Sequence, residues 1–227
     1  QNKGGVQYKV VLETTPFYAE SGGQVGDTGQ LTFKNSGISL QVVDTKKEND
    51  LIVHFLSDAR IEEVASDQEV IATIDVNRRR TITQNHSATH LLQAALQEVL
   101  GKHVAQKGSL VNESLLRFDF SHFQKVTDEE IIQIEKLVNA KIAENIPLLE
   151  ERNVPIAQAK EKGAMALFGE KYGDFVRVIT FDKNYSVELC GGTHVPTTGE
   201  IGLCKIITET SVATGVRRIE AITSQQA

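Results

Sequence analysis

Cysteine is scarce in this chain, two in 227 residues, which argues against a disulfide framework and suits a reducing, cytoplasmic setting. No apolar run approaches the length needed to cross a membrane, and the amino end lacks the basic-then-apolar layout of a signal peptide. Repeats and low-complexity stretches are missing too. So is any excess of positive charge: 24 lysines and arginines face 30 aspartates and glutamates, a net charge of −6. A domain that grips RNA tightly by itself is usually basic. What the chain does have is bulk, since 40% hydrophobic residues over this length can bury one or two cores.

Two short segments stand out against that background. His86-Ser-Ala-Thr-His90 and Cys190-Gly-Gly-Thr-His194 each put two metal-ligand side chains four positions apart. Together they supply three imidazoles and a thiolate, the ligand types and number that tetrahedral zinc takes. The first pair falls in a stretch that reads as helix from Asp75 to Leu100, where this spacing projects both rings from one face. The second follows a strand-like run, Tyr185 to Leu189. There Gly191 and Gly192 let the backbone turn tightly enough to bring Cys190 and His194 onto one centre. A histidine pair alone is common on solvated helices. Both pairs in a chain with six histidines and two cysteines point to a zinc site.

Missing residues narrow its chemistry. No glutamate lies between His86 and His90, which argues against a zinc peptidase helix. A nucleobase deaminase would need a glutamate beside its histidine and paired cysteines. A closed ion that staples two segments and a catalytic ion with an exchangeable position share this ligand set.

A third segment, Thr15 to Gly29, carries Gly22, Gly23, Gly26 and Gly29 among small polar side chains. Such a loop lets a ligand approach the backbone closely. No Gly-Lys-Ser/Thr follows it and no βαβ pattern surrounds it, so it is neither a Walker loop nor a dinucleotide fingerprint. A pair of turns in a β-domain accounts for it equally well.

Periodicity predicts an α+β chain of two domains. Tyr8 to Glu13, Gln30 to Phe33, Ile38 to Val43, Ile52 to Phe55 and Glu69 to Asp75 are short, partly alternating and β-branched. With turns at Lys34–Gly37 and Lys46–Asp50, they read as a small barrel-like β-domain over residues 1–75. Residues 76–227 read as an α+β zinc-binding domain. Its first helix is capped by Asp75 and ended by Gly101. A capping box at Thr127 to Glu130 starts a second, with Ile131, Ile134, Val138 and Ile142 on its apolar stripe. Pro155 opens a short third that ends near Gly163. Val176 to Phe181, Tyr185 to Leu189, Gly202 to Glu209 and Val216 to Thr223 are expected to form an antiparallel sheet covered by the helices on one face.

The glycine-rich segment, both metal pairs, Gln106-Lys-Gly-Ser-Leu-Val111, Gly169-Glu-Lys-Tyr-Gly-Asp174 and Gly215-Val-Arg-Arg-Ile-Glu220 together resemble the editing domain of alanyl-tRNA synthetase. The resemblance runs from about Val10 to Thr223 in the family's order. The metal pairs are shared with AlaX-type trans-editing proteins and the threonyl-tRNA synthetase editing domain, whereas Thr15 to Gly29 favours the synthetase itself. The aminoacylation part is not in the chain, and nothing after Ala227 supplies a carboxy-terminal tRNA-binding part, so a fragment is expected.

The resemblance implies zinc-dependent hydrolysis of tRNA for alanine that carries serine or glycine. A pocket built for alanine excludes glycine poorly, because one methyl is worth only about 1–3 kcal/mol of discrimination, and a second hydrolytic sieve restores fidelity. It also implies Gln106, Thr28 and Gln24 as pocket groups. The plain alternatives are an exposed polar residue in a turn for Gln106 and a hydroxyl bonded to its own backbone for Thr28. Candidate contacts to the RNA 3′ end are Arg78, Arg79, Arg80, Lys102, Lys107, Lys171, Arg177, Arg217 and Arg218, each of which also fits an ordinary surface charge. Asp174 and Arg177 fit a fold-supporting ion pair equally well, and His54, His103 and His122 have no partner by motif. Cys204 reads as a small apolar side chain.

Overall fold

The computed structural model describes residues 7–166 and 172–224, and the chain separates into two compact units. Gln1–Ser21 with Val25–Arg79 form the first; Gly22–Gln24 with Arg80–Ala227 form the second. The assignment of Gly22–Gln24 is not foreseen by a boundary near Asp75. Of the Gly169–Asp174 segment, Gly169, Glu170 and Lys171 lie outside the described residues.

The first unit is one antiparallel sheet of β1 (Tyr8–Val11), β2 (Gly29–Phe33), β3 (Ser39–Glu48), β4 (Leu51–Leu56) and β5 (Val70–Ile74), in the order β1-β4-β3-β2-β5. Alternation drives it: in β2 the side chains of Leu31 and Phe33 are buried while Gln30 is exposed. Leu31 and Phe33 join Phe17, Leu40, Val42 and Leu56 in a small core. β3 is longer than its apolar stretch suggests. Lys46, Lys47 and Glu48 belong to the strand, and the reversal uses only Asn49 and Asp50, at φ of 48° and 67°. Two successive residues at positive φ make the tight hairpin loop whose twist suits antiparallel strands, and Asn and Asp tolerate that region.

The sheet stays open where a barrel was expected. β1 and β5 stand at its two edges, and among the described residues no ladder joins them. The chain between β4 and β5 packs Ile61 and Val64 onto the core instead, and Tyr8 donates its hydroxyl to Glu62 at 2.8 Å. A cavity of about 470 Å³ remains there, walled by Val10, Leu12, Phe33, Val64 and Val70.

The second unit holds α1 (Val76–Leu100, its first four residues counted with the first unit), β6 (Gln106–Val111), β7 (Leu116–Ser121), α2 (Asp128–Ala143), β8 (Leu149–Pro155), α3 (Ile156–Glu161), β9 (Phe175–Phe181), β10 (Ser186–Leu189), β11 (Cys204–Ala213) and β12 (Val216–Thr223). The strands expected to share one sheet are divided between two. β11-β12-β7-β6 is one antiparallel sheet and β10-β9-β8 the other. β6 and β8 escaped the sequence reading because they are polar edge strands, as edges exposed to water tend to be. β8 is further interrupted by a bulge near Asn153, at φ 55°. β7 was not foreseen either, although the alternation of Leu-Arg-Phe-Asp-Phe is a strand signal.

Helix boundaries fall where their caps place them. Asp75 Oδ1 accepts from Arg78 N at 3.0 Å, and Gly101 at φ 112° ends α1. Thr127 and Glu130 form the expected reciprocal capping box at the start of α2. α2 then buries Ile134, Val138 and Ile142 against Leu91, Leu92, Leu96, Phe118, Phe120 and Ile219. From Gln84 to Leu96 every residue of α1 is buried, polar ones included. Those polar groups find partners: Gln84 donates to Glu200 O at 2.7 Å, Asn85 to Asn112 O at 2.8 Å, and Thr223 to Asn85 Oδ1 at 2.7 Å. No helix among the described residues is long and apolar enough to cross a membrane.

Two phenylalanines should separate core from surface. Phe118→Ala, at a fully buried site, is expected to cost about 3–5 kcal/mol in urea denaturation. Phe123→Ala, at a residue 86% exposed, should stay within about 0.5 kcal/mol of the parent.

Candidate metal centre

α1 sets His86 and His90 one helical turn apart, with ring centroids separated by 5.3 Å. β10 ends at Leu189 and hands over to the turn that carries Cys190 and His194. His86, His90 and Cys190 are each at most 5% exposed, and His194 is half-buried. Cys190 Sγ lies 3.4 Å from His86 Nε2 and 3.3 Å from His194 Nε2. One donor atom from each of the four lies within 4.8 Å of the others, a group that can hold a metal ion.

The surroundings fix which ring nitrogens face inward. Gln24 Oε1 lies 2.6 Å from His86 Nδ1; a carbonyl oxygen only accepts, so Nδ1 carries the proton and Nε2 is left with its lone pair. The same oxygen accepts from Thr193 N at 2.9 Å, while Gln24 Nε2 donates to Thr193 Oγ1 at 2.9 Å. Thr193 Oγ1 in turn meets Thr83 Oγ1 at 2.9 Å. Ser87 Oγ sits 3.1 Å from His194 Nδ1 and accepts from Val195 N at 3.0 Å. His90 Nδ1 is buried and has no hydrogen-bond partner. A polar atom abandoned in that way costs about 1–3 kcal/mol, and a cation facing it removes the penalty. The donor set and the orphaned nitrogen both fit a metal.

Burial lowers the pKa of all three histidines. His86 is pushed down to about 4 by desolvation, then by the charge of Arg177. His90 and His194 are driven well below the usual range by desolvation first and by neighbouring imidazoles second. At neutral pH the rings are therefore uncharged, the form that ligates metals. Burial drives the Glu188 carboxyl the other way, up to about 8.

Glycines permit the assembly through close backbone approach. Gly23, at φ 86°, has Ser109 O only 2.8 Å from where a Cβ would sit, and its carbonyl accepts from Val111 N at 2.7 Å. That docking on the end of β6 delivers Gln24, which is fully buried, to His86. Gly192 is tighter still, since a Cβ there would lie 2.0 Å from His86 Cε1. Arg177 braces the same turn: its Nη1 donates to Cys190 O at 3.0 Å and Gly192 O at 2.5 Å, and its Nε to Glu150 Oε1 at 2.9 Å.

Of the candidate residues, the structure brings together His86, His90, Cys190, His194 and Gln24. Gln106 opens β6 opposite Phe120, in a strand and not a turn. Thr28 belongs to the first unit, half-buried just ahead of β2, where its carbonyl accepts from Asp75 N at 2.8 Å. Thr83, Ser87, Thr193, Glu188 and Glu150 were not foreseen. Helical spacing from His86 and His90 could have found Thr83, and alternation along β10 into Cys190 could have found Glu188.

Several proposed RNA-facing cations are committed elsewhere. Arg79 pairs with Asp27, Arg217 with Glu209, Arg218 with Asp119, and Arg177 pairs with Glu150 while Asp174 is exposed. Arg80, Lys102 and Lys107 are exposed, and Lys171 lies outside the described residues. His103 and His122 meet each other at 2.9 Å, and His54 bridges Thr15 Oγ1 and Val10 O.

Residues 176–220 match the family model described as threonyl and alanyl tRNA synthetase second additional domain. Residues 1–78 match the one described as tRNA synthetases class II (A). The chain is 60% identical over 229 residues to an alanine–tRNA ligase of Cytophaga hutchinsonii, covering 100% of this chain and 25% of that protein. It is 59% identical over 223 residues to that of Bacteroides fragilis, and 53% identical over 223 residues to that of Porphyromonas gingivalis, in both cases covering 98% of this chain and 25% of the relative. The chain thus spans about a quarter of the length of the curated relatives it matches.

Gly192→Ala tests the close approach. Its methyl would displace the His86 ring, so stoichiometric zinc binding in a calorimetric titration should be lost or weakened at least roughly tenfold. Unaltered affinity would mean that the His86 ring does not pack against Gly192.

Proposed function

We propose that this chain, which belongs with the alanyl-tRNA synthetase editing domains, hydrolyses the ester of tRNA for alanine mischarged with serine or glycine. The observation that carries the reading is the buried three-histidine, one-cysteine cluster, with Gln24 from the glycine-rich segment turned onto His86. Zinc is the metal we assign, because neutral imidazoles with a thiolate are its usual ligands. When bound, it supplies positive charge that polarises or orients the ester, or acidifies the attacking water.

The protein's own residues have distinct duties in this reading. His86, His90, Cys190 and His194 hold the ion, and Gln24 keeps His86 in the ligating tautomer. Gln106 and Thr28 are assigned to the pocket for the amino acid. A Thr28 hydroxyl that pairs with the serine side chain would leave alanine without a partner, and selectivity built on one hydrogen bond can be large. The ester is an activated acyl group, so modest catalysis suffices. The net charge of −6, with Arg79, Arg177, Arg217 and Arg218 already paired, leaves little for gripping RNA. Affinity for the tRNA then depends on parts of the synthetase outside this chain.

A second reading is supported by the burial of the donors: four protein ligands with His86, His90 and Cys190 nearly sealed suit a closed ion that only staples α1 to the Cys190 turn. The match of residues 1–78 to a class II synthetase model favours the synthetase over a free-standing deacylase.

Single-turnover deacylation at excess protein separates these readings. Seryl-tRNA for alanine should be hydrolysed much faster than alanyl-tRNA, and chelation or Cys190→Ala should return the seryl ester to its spontaneous rate. Thr28→Val should shrink the serine-to-alanine ratio. Normal turnover by a metal-free Cys190→Ala protein would end the metal's role, and an unchanged ratio in Thr28→Val would end that of Thr28.

A further inference from the structure

Glu188 is a carboxylate in a place where carboxylates are expensive. It is 1% exposed on β10, and no lysine or arginine partners it among the described residues. Its polar neighbours are Ser186 Oγ at 3.4 Å and His90 Nε2 at 3.5 Å. His90 also differs from the other two histidines of the cluster. His86 and His194 turn Nε2 toward Cys190 Sγ and have Nδ1 against Gln24 and Ser87. In His90 the side toward Glu188 is Nε2, and the nitrogen left buried and unpartnered is Nδ1.

One arrangement accounts for both oddities. We propose that Glu188 is a positioning residue that holds the Nε2–H of His90, so that this ring alone binds the metal through Nδ1. The inference rests on the metal reading above. A metal drawing electron density from Nδ1 makes the Nε2–H a better donor, and a carboxylate is the strongest acceptor a protein can place there. Gln24, Ser87 and Glu188 then serve the three histidines in turn, each holding the nitrogen that faces away from the metal.

The test uses the whole chain. Zinc affinity is measured by competition with a chromophoric chelator for the parent, Glu188→Gln and Glu188→Ala. Glu188→Gln should weaken zinc roughly tenfold and Glu188→Ala up to about 100-fold. The metal-free variants should be no less stable to urea than the metal-free parent, because a costly buried carboxyl has been removed. A residue that merely fills space would show the reverse: lower stability and unchanged affinity, which overturns the proposal. Nitrogen-15 spectra of the zinc-loaded, histidine-labelled parent provide an independent readout should the variants fail to fold. They should show two rings ligated through Nε2 and His90 through Nδ1. Ligation of all three through Nε2 overturns the proposal even if zinc binds. A parent that binds no zinc overturns the metal reading, and this inference with it.

Discussion

The hydrogen bond between His86 Nδ1 and Gln24 Oε1, 2.6 Å long and fully buried, is the contact on which the site depends. It links residues 62 positions apart and decides the tautomer of a ring whose Nε2 faces Cys190 Sγ. The same oxygen anchors the turn through Thr193 N, so one carboxamide organises a helix histidine and the Cys190–His194 turn together. Gly23 and Gly192 are small for the sake of that bond: a side chain at either would intrude on Ser109 or on His86 itself. The glycine-rich segment therefore acts here by packing backbone against backbone, in addition to whatever ligand it admits.

Burying so many polar groups in α1 would be destabilising unless each were satisfied, and nearly all are. The exceptions concentrate at the cluster. His90 Nδ1 has no partner, three histidines are held neutral by desolvation, and a carboxyl is sealed beside them. Donors in that condition form a group that can hold a cation. Leu91, Phe181 and Val195 belong to the same packed core as Cys190.

Much of this was legible from residue order, and the misses have physical causes. The convergence of His86, His90, Cys190 and His194 was readable because a helix repeats nearly every four residues and because glycines free the turn after Cys190. Caps at Asp75, Thr127 and Pro155 marked helices within a residue or two, since capping is local chemistry. β6 and β8 were hidden because edge strands carry charge and bulges in place of alternation. The barrel was expected from five short strands, but strand count says nothing about whether the edges meet, and Ile61 and Val64 occupy that space. Arg217 and Arg218, which fitted either RNA contacts or surface charge, are paired: Arg217 with Glu209 on the neighbouring strand of its own hairpin, Arg218 with Asp119 of β7, 99 positions away. Glu188 was in plain view two residues before Cys190, yet only the third dimension shows that it faces His90.

The central claim is that one metal ion sits among these four side chains. Zinc K-edge X-ray absorption on stoichiometrically loaded protein addresses it directly, because sulfur and nitrogen scatter at distinguishable distances of about 2.3 Å and about 2.0 Å. One equivalent of zinc with a single sulfur and three imidazole nitrogens is the predicted result. A sphere without sulfur, or no tight equivalent at all, would contradict the account.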